Sequence, residues 1–237
     1  MAERRNLNTG DFDAKGDILA GTANDAFDQL AVGVDGQAVV ADSTQSTGLG
    51  YGMPGPYGGK SYRTTMYYSA DIRTSTTAAS LIAESLVTAV PFWCRKTSSF
   101  DRIVCRQTVN GSAGALHRMG IYEDDGSVYP GALLLDAGTV VADAGGGVAK
   151  EITINQQLVG GQLYWLVRVT QGAAVTRPNI FVAATPGSVP AFIATPTSGN
   201  SQGSGFTESG VSGALPASFT TSLSLTTVPA WMWLRAV

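Results

Sequence analysis

The residues able to do chemistry are few and scattered. His117 is the sole histidine, so a Ser–His–Asp arrangement could use only that imidazole. It sits mid-strand beside Arg118, in Leu116–Tyr122, which predicts a satisfied or solvent-facing histidine. Cys94 and Cys105 are the only cysteines and flank the turn-like Thr97-Ser98-Ser99-Phe100, a spacing that would set them roughly opposite each other on a hairpin. They read as two reduced thiols in neighbouring strands. With one histidine and no second close pair they fall short of a structural zinc set. Glu123-Asp124-Asp125-Gly126 could offer oxygens to calcium, but it lacks the ligand spacing of a known loop and reads as a hairpin turn. Gly145-Gly146-Gly147 lacks the helix and lysine of a phosphate loop. The 18 acidic residues could supply a carboxylate pair for glycan cleavage, yet nothing in the sequence selects one. The expectation is a non-enzyme with no catalytic residue, no metal and no cofactor.

Binding is the better-supported activity. Sugars are recognised by exposed aromatic faces ringed by planar amides and carboxylates, and Tyr57, Tyr62, Tyr67, Tyr68, Trp93, Tyr129, Trp231 and Trp233 are the available rings. Most of these are expected in the core or at a subunit interface. The loop 196–213 carries Phe206 as its only large side chain and reads as a variable contact surface. The candidate ligand residues are Phe206, Tyr129, Asn200 and Glu208.

The elements that must position these groups are β-strands. The chain is 237 residues long, 44% hydrophobic and only 14% charged. Soluble domains average roughly 25% charged residues. The 29 glycines, with many Ser and Thr, give the composition of a turn-rich β protein with a neutral, hydroxylated surface. A net charge of −3 leaves no electrostatic footprint for nucleic acid. No apolar run approaches the ~20 residues of a membrane span. Met1-Ala-Glu-Arg-Arg5 lacks the apolar core of a signal peptide, which predicts synthesis in a cytoplasm and release within an assembly or by lysis.

Four zones separate by composition. Residues 1–13 form a polar arm. Residues 14–51 hold short apolar pieces, Asp17–Ala20 and Gln37–Ala41, each bracketed by turn chemistry. These are strand-length and too small to bury a core alone, so another copy of the chain is the economical source of the missing half. Residues 52–60 form a Pro/Gly hinge. Residues 61–237 then carry strand signals about every 10–15 residues, the pattern of a β-sandwich. Thr64–Ser69, Ala89–Cys94, Arg102–Val109, Leu116–Tyr122, Gly138–Ala142 and Lys150–Ile154 are strand candidates. Gln162–Thr170 is the strongest and reads as central. Thr76–Leu86 reads as a short helix or strand. Val228–Val237 reads as a last strand, with Trp231, Trp233 and Arg235 opposed to Met232, Leu234 and Ala236.

Three stretches carry a resemblance. Lys15-Gly-Asp-Ile-Leu-Ala-Gly-Thr22, Leu30-Ala-Val-Gly-Val-Asp-Gly-Gln37 and Ala41-Asp-Ser-Thr-Gln-Ser-Thr-Gly-Leu49 resemble a module of bacteriophage tail and fibre proteins, K-G-D-L-L-x-G-T, L-x-V-G-x-D-G-Q-V-L and A-D-S-x-x-x-x-G-L-x-W. Tyr51 stands near the usual Trp. Phe100–Ile103, Arg118–Tyr122, Tyr129–Leu133, Leu163–Leu166 and Gly213–Pro216 are similar to points of the β-sandwich that follows it in such proteins. The resemblance implies an all-β chain, a short N-terminal trimerising β-stalk or collar followed by an antiparallel jelly-roll-like sandwich. It implies a homotrimeric virion structural protein, a minor tail or fibre component, bound to other virion proteins and presenting a sandwich that could take host envelope glycan. A capsid head fibre or decoration protein is the alternative, and a glycan-degrading tail enzyme the rival of a different class. Lys15, Asp17, Ile18, Leu19, Leu30, Val32, Val39 and Leu49 are the candidate trimerisation and attachment residues. No nucleic acid or membrane partner is expected.

Overall fold

The computed structural model describes residues 12, 14–24, 26–34, 37–52, 61–69, 79–173, 175–182, 193–194, 202–203, 205–220, 225–226 and 230–237. The hinge residues 53–60, most of the arm, Tyr57 and Asn200 lie outside them. The described residues are all-β, without a helix. They fall into two units, one of residues 1–61 with 94–97 and 159–161, the other of 62–93, 98–158 and 162–237.

The first unit holds two antiparallel hairpins. Strand β1 (Ile18–Ala23) pairs with β2 (Ala26–Leu30), and β3 (Ala38–Ala41) pairs with β4 (Leu49–Gly52), each as a separate two-stranded sheet. Asn24 and Asp42 to Gly48 supply the turns, and Gly48 takes the left-handed φ of 68° that a side chain would disfavour.

The second unit is a β-sandwich. Its strands are β5 (Tyr67–Ser69), β6 (Ala79–Leu81), β7 (Val87–Trp93), β8 (Ser98–Val109), β9 (Leu116–Asp124), β10 (Pro130–Val141), β11 (Ala149–Leu158), β12 (Leu163–Gln171) and β13 (Asn179–Phe181). They continue with β14 (Ile193–Ala194), β15 (Gln202–Gly203), β16 (Gly205–Glu208), β17 (Leu225–Thr226) and β18 (Met232–Ala236). One sheet runs β10-β9-β12-β7-β16-β17, and the other β5-β18-β8-β13-β6 with β11 on the remaining edge of β8. The pairs β9 with β10, β8 with β11 and β7 with β12 are nested, and the middle pair lies in the opposite sheet. That nesting is a hairpin rolled on itself, the jelly-roll topology. In the segment 76–86, Ala79–Leu81 forms the strand β6, and none of its described residues is helical.

Strand β12 is buried throughout and lies between β9 and β7, as its unbroken run of apolar and aromatic residues predicts. One of its faces, Trp165, Val167 and Val169, packs with Tyr122, Phe206, Val211, Leu215 and Phe219. The other face meets the second sheet. At one end of that inter-sheet core the rings of Phe92 and Phe100 pack edge to face, 5.8 Å apart, with Tyr62 against both. At the other end the core turns polar.

Candidate functional site

The motif residues of the first unit act as local fasteners. Asp17 sits just before β1, and its carboxylate accepts from the backbone N–H of Ala14 (2.7 Å), from Gln29 Nε2 (2.5 Å) and from Val32 N–H (3.3 Å). It therefore locks the entry to β1 onto the exit of β2. Gln37 accepts from Val34 N–H through Oε1 and donates through Nε2 to the carbonyl of Gly160. Asp42 caps its turn by accepting from the amide and hydroxyl of Thr44, and these bonds hold its carboxyl below the usual range. Lys15 is exposed. Short polar side chains at turn boundaries satisfy backbone groups that no ladder reaches.

The apolar side chains of this unit are left open. Across the described residues of 14–52, Ala20 is the one buried hydrophobic side chain. Ile18 is 37% exposed, Val39 42% and Val32 54%, while Leu19, Leu30 and Leu49 are half-buried. The residues picked from sequence as an assembly surface thus present apolar area to solvent in the single chain.

The polar end of the sandwich core is built from β8, β9 and β12. Arg168, fully buried, donates from Nη2 to His117 Nδ1 at 2.8 Å, and to the hydroxyl of Thr170. His117 Nδ1 must then be an acceptor, so the proton sits on Nε2 and is donated to Gln107 Oε1 at 3.1 Å across the sheets. Gln107 Nε2 passes the chain on to Asn110 Oδ1 and the Ala144 carbonyl. Burial, reinforced by the positive charges of Arg168 and Lys150, pulls the His117 pKa down to about 2. A histidine locked neutral with both nitrogens engaged is a structural group. Among the described residues no serine hydroxyl is bonded to it.

Both cysteine thiols are buried, and Cys94 Sγ donates to the Lys96 carbonyl. The hairpin expected to link them is corrected by the topology: β7 and β8 lie in different sheets, and Cys105 has Lys150 and Met232 as its cross-strand neighbours. Burial raises the Cys105 thiol to about 11, so it is unreactive at neutral pH.

The acidic turn is closed on itself. Asp124 accepts from Gly126 and Val128 N–H with one oxygen and from Trp165 Nε1 with the other, and Asp125 accepts from the amide and hydroxyl of Ser127. Among the described residues no cluster of three or more His, Cys, Asp or Glu could hold a metal ion.

The ligand surface picked from sequence is not where it was expected. Phe206 is 1% exposed, and its ring lies between Tyr129 (4.6 Å) and Trp165 (5.3 Å). Tyr129 is buried beside it and donates its hydroxyl to the Thr220 carbonyl. Glu208 is half-buried and accepts from Thr220 N–H. The Gly/Ser composition suggested an open loop, but β16 pairs with β7 and needs no hydrophobic pattern of its own to add to a sheet edge. What the sequence concealed is that residues 205–220 roof the outer face of β12.

A different surface brings together the exposed Tyr67 and two half-buried tryptophans. On the outward face of the second sheet, Trp231 and Trp233 form a tilted stack with centroids 4.7 Å apart and rings inclined by 32°. Both are half-buried, and Trp231 is fixed by its Nε1 donating to Ser69 Oγ at 2.8 Å. Tyr67 of β5 donates its hydroxyl to Glu151 of β11 at 2.7 Å. Two strands, β18 and β8, separate those residues, so both side chains lie flat along the face. Arg235 makes a two-nitrogen contact with Asp101, at 2.8 and 2.5 Å, beside the Tyr67 ring. The exposed Arg106 of β8 lies over Phe181, 4.7 Å from its centroid, and has no ion-pair partner among the described residues. The alternation of Trp231, Trp233 and Arg235 against Met232, Leu234 and Ala236 was the sequence signal for this face.

No family model matches the chain, and no curated protein matches it.

Proposed function

We propose that this chain is a bacteriophage virion structural protein, a minor tail or fibre component that assembles as a homotrimer through residues 14–51. The observation that carries this reading is the open apolar surface of residues 14–52, with Ile18, Val32 and Val39 exposed and Ala20 the one buried hydrophobic side chain among the described residues of that stretch. Two-stranded sheets are marginal at best in water. Hairpins that leave their Ile, Leu and Val side chains open gain stability when copies of the chain cover them. The phage-type spacing of Lys15, Gly16 and Asp17, of Asp35, Gly36 and Gln37, and of Ala41 and Asp42 supports the same reading. The sandwich, as a rigid body with an aromatic outer face, is then the part that meets other virion proteins or host envelope glycan. A capsid head fibre or decoration role uses the same parts, and locating the protein on particles by electron microscopy separates the two. The test of the assembly is multi-angle light scattering of the full chain. A mass of three chains is expected, lost in an Ile18→Asp/Val39→Asp double variant; a monomeric mass for the unmodified chain overturns the proposal.

A further inference from the structure

We propose that the outward face formed by Arg106, Phe181, Trp231 and Trp233 is a binding site for an acidic saccharide, a pyranose carrying a carboxylate. This rests on the reading of the sandwich as the glycan-meeting part and assigns it a place and a ligand class.

Three features of the face converge on that chemistry. The first is a tilted stack of two indoles. Trp231 and Trp233 have centroids 4.7 Å apart and planes inclined by 32°, and both residues are half-buried. A puckered sugar ring presents C–H groups to an indole surface, where apolar area and the negative ring face both favour it. The stack is also pre-set: Trp231 is held by Ser69, and its backbone N–H donates to the Phe181 carbonyl at 2.9 Å. Little ordering then remains for binding to accomplish.

The second feature is the charge. The face carries Arg102, Arg106 and Arg235 against Asp101 and Glu151. Arg235 is committed to Asp101, and Arg102 lies within 3.6 Å of Asp101 and 3.9 Å of Glu151. Arg106 has no carboxylate partner among the described residues, and its guanidinium lies over the Phe181 ring, 4.7 Å from the centroid. A guanidinium in that setting matches a carboxylate through paired N–H donors. The third feature is that, of the described arginines Arg102, Arg106 and Arg235, Arg106 alone lacks a carboxylate partner among the described residues. One such cation suits one carboxylate per bound sugar. A polyphosphate chain or nucleic acid is drawn by several cations at once.

Arg106 and Trp231 meet at Phe181: the Trp231 backbone N–H donates to the Phe181 carbonyl, and the Arg106 guanidinium lies over the Phe181 ring. A saccharide bound at the indole is therefore beside the guanidinium.

The test is calorimetric titration of the full chain with tetragalacturonate, alongside its fully methyl-esterified form, which keeps the rings and removes the charge. Saturable binding of the acid is expected, weakened about ten-fold or more by Arg106→Gln and by esterification alike. Trp231→Ala is expected to abolish binding of both forms. Trp231→Phe, which retains a ring, should recover part of it and guards against a folding defect. Absence of saturable binding at millimolar tetragalacturonate overturns the site, as does affinity unchanged in Arg106→Gln or preference for the ester. So does binding of a glycerol-phosphate polymer in place of the uronate. The trimer mass is independent of these outcomes, so failure of the site and failure of the assembly are told apart.

Discussion

Arg168 donates to Nδ1 of His117 at 2.8 Å inside the sandwich, a cation bonded to an imidazole that cannot accept a proton while the bond stands. Protonating His117 would set two positive charges side by side with no carboxylate between them. The folded state therefore keeps this histidine neutral to about pH 2, while the unfolded chain protonates it near its ordinary value of 6.5. A group with a depressed folded pKa contributes stability that is present above the unfolded pKa and is lost as pH falls below it.

The consequence is a pH slope. Between pH 6.5 and 5, above the carboxylate range, unfolding free energy should fall by roughly 1 kcal/mol per pH unit from this one group, steepening toward about 1.4 at the lower end. Urea denaturation at half-unit intervals measures it. His117→Asn, which keeps an acceptor toward Arg168 but cannot titrate, should flatten the slope; an unchanged slope in that variant would assign it elsewhere.

Phe206 is a core residue by position. Phe206→Ala should cost about 3–5 kcal/mol, because Tyr129 and Trp165 cannot close the space left by the ring. Denaturation midpoints test this. A loss below about 1 kcal/mol would return Phe206 to the surface role its loop composition suggests.

Gly120 has no room for a side chain. A Cβ there would meet the Leu135 carbonyl and the Leu215 side chain. Gly120→Ala should destabilise the sandwich by about 1–3 kcal/mol by lifting residues 211–219 off the sheet. Faster amide exchange at Val211, Leu215 and Phe219 would report the lift directly.

Asp17→Ala removes acceptors for two backbone amides and the Gln29 side chain at once. Amide exchange at Val32 should accelerate by about ten-fold or more, with the sandwich amides unaffected. Asp17→Asn, which keeps one acceptor oxygen, should fall between the two.

The outward face makes its own prediction. Tyr67→Phe frees Glu151 and removes no apolar area, so stability should change by less than about 1 kcal/mol, as for other exposed polar contacts. Thermal denaturation checks it. The ionisation of Tyr67, raised by burial and by its bond to Glu151, should move back toward the ordinary tyrosine value in Glu151→Gln, read by ultraviolet titration.

Much of this molecule is local in origin. The β class, the strength of β12, the alternation of β18 and the turn residues Asp17, Gln37 and Asp42 follow from side-chain period and turn chemistry, which act over a few residues. So does the incompleteness of residues 14–51, because four short strands cannot bury what they carry. The tertiary structure decided everything that depends on long-range pairing. His117 could have faced solvent; the crossing of β9 under β8 places it against Gln107 and Arg168. Phe206 sits in a Gly/Ser run that reads as open loop, and only the pairing of β16 with β7 carries it inward. Arg106 is over 120 residues from Trp231 and Trp233 in sequence, and the three share one face because β18 and β13 share an edge of β8. Periodicity reports which side of a strand a residue takes, and the sheet order reports what lies on that side with it.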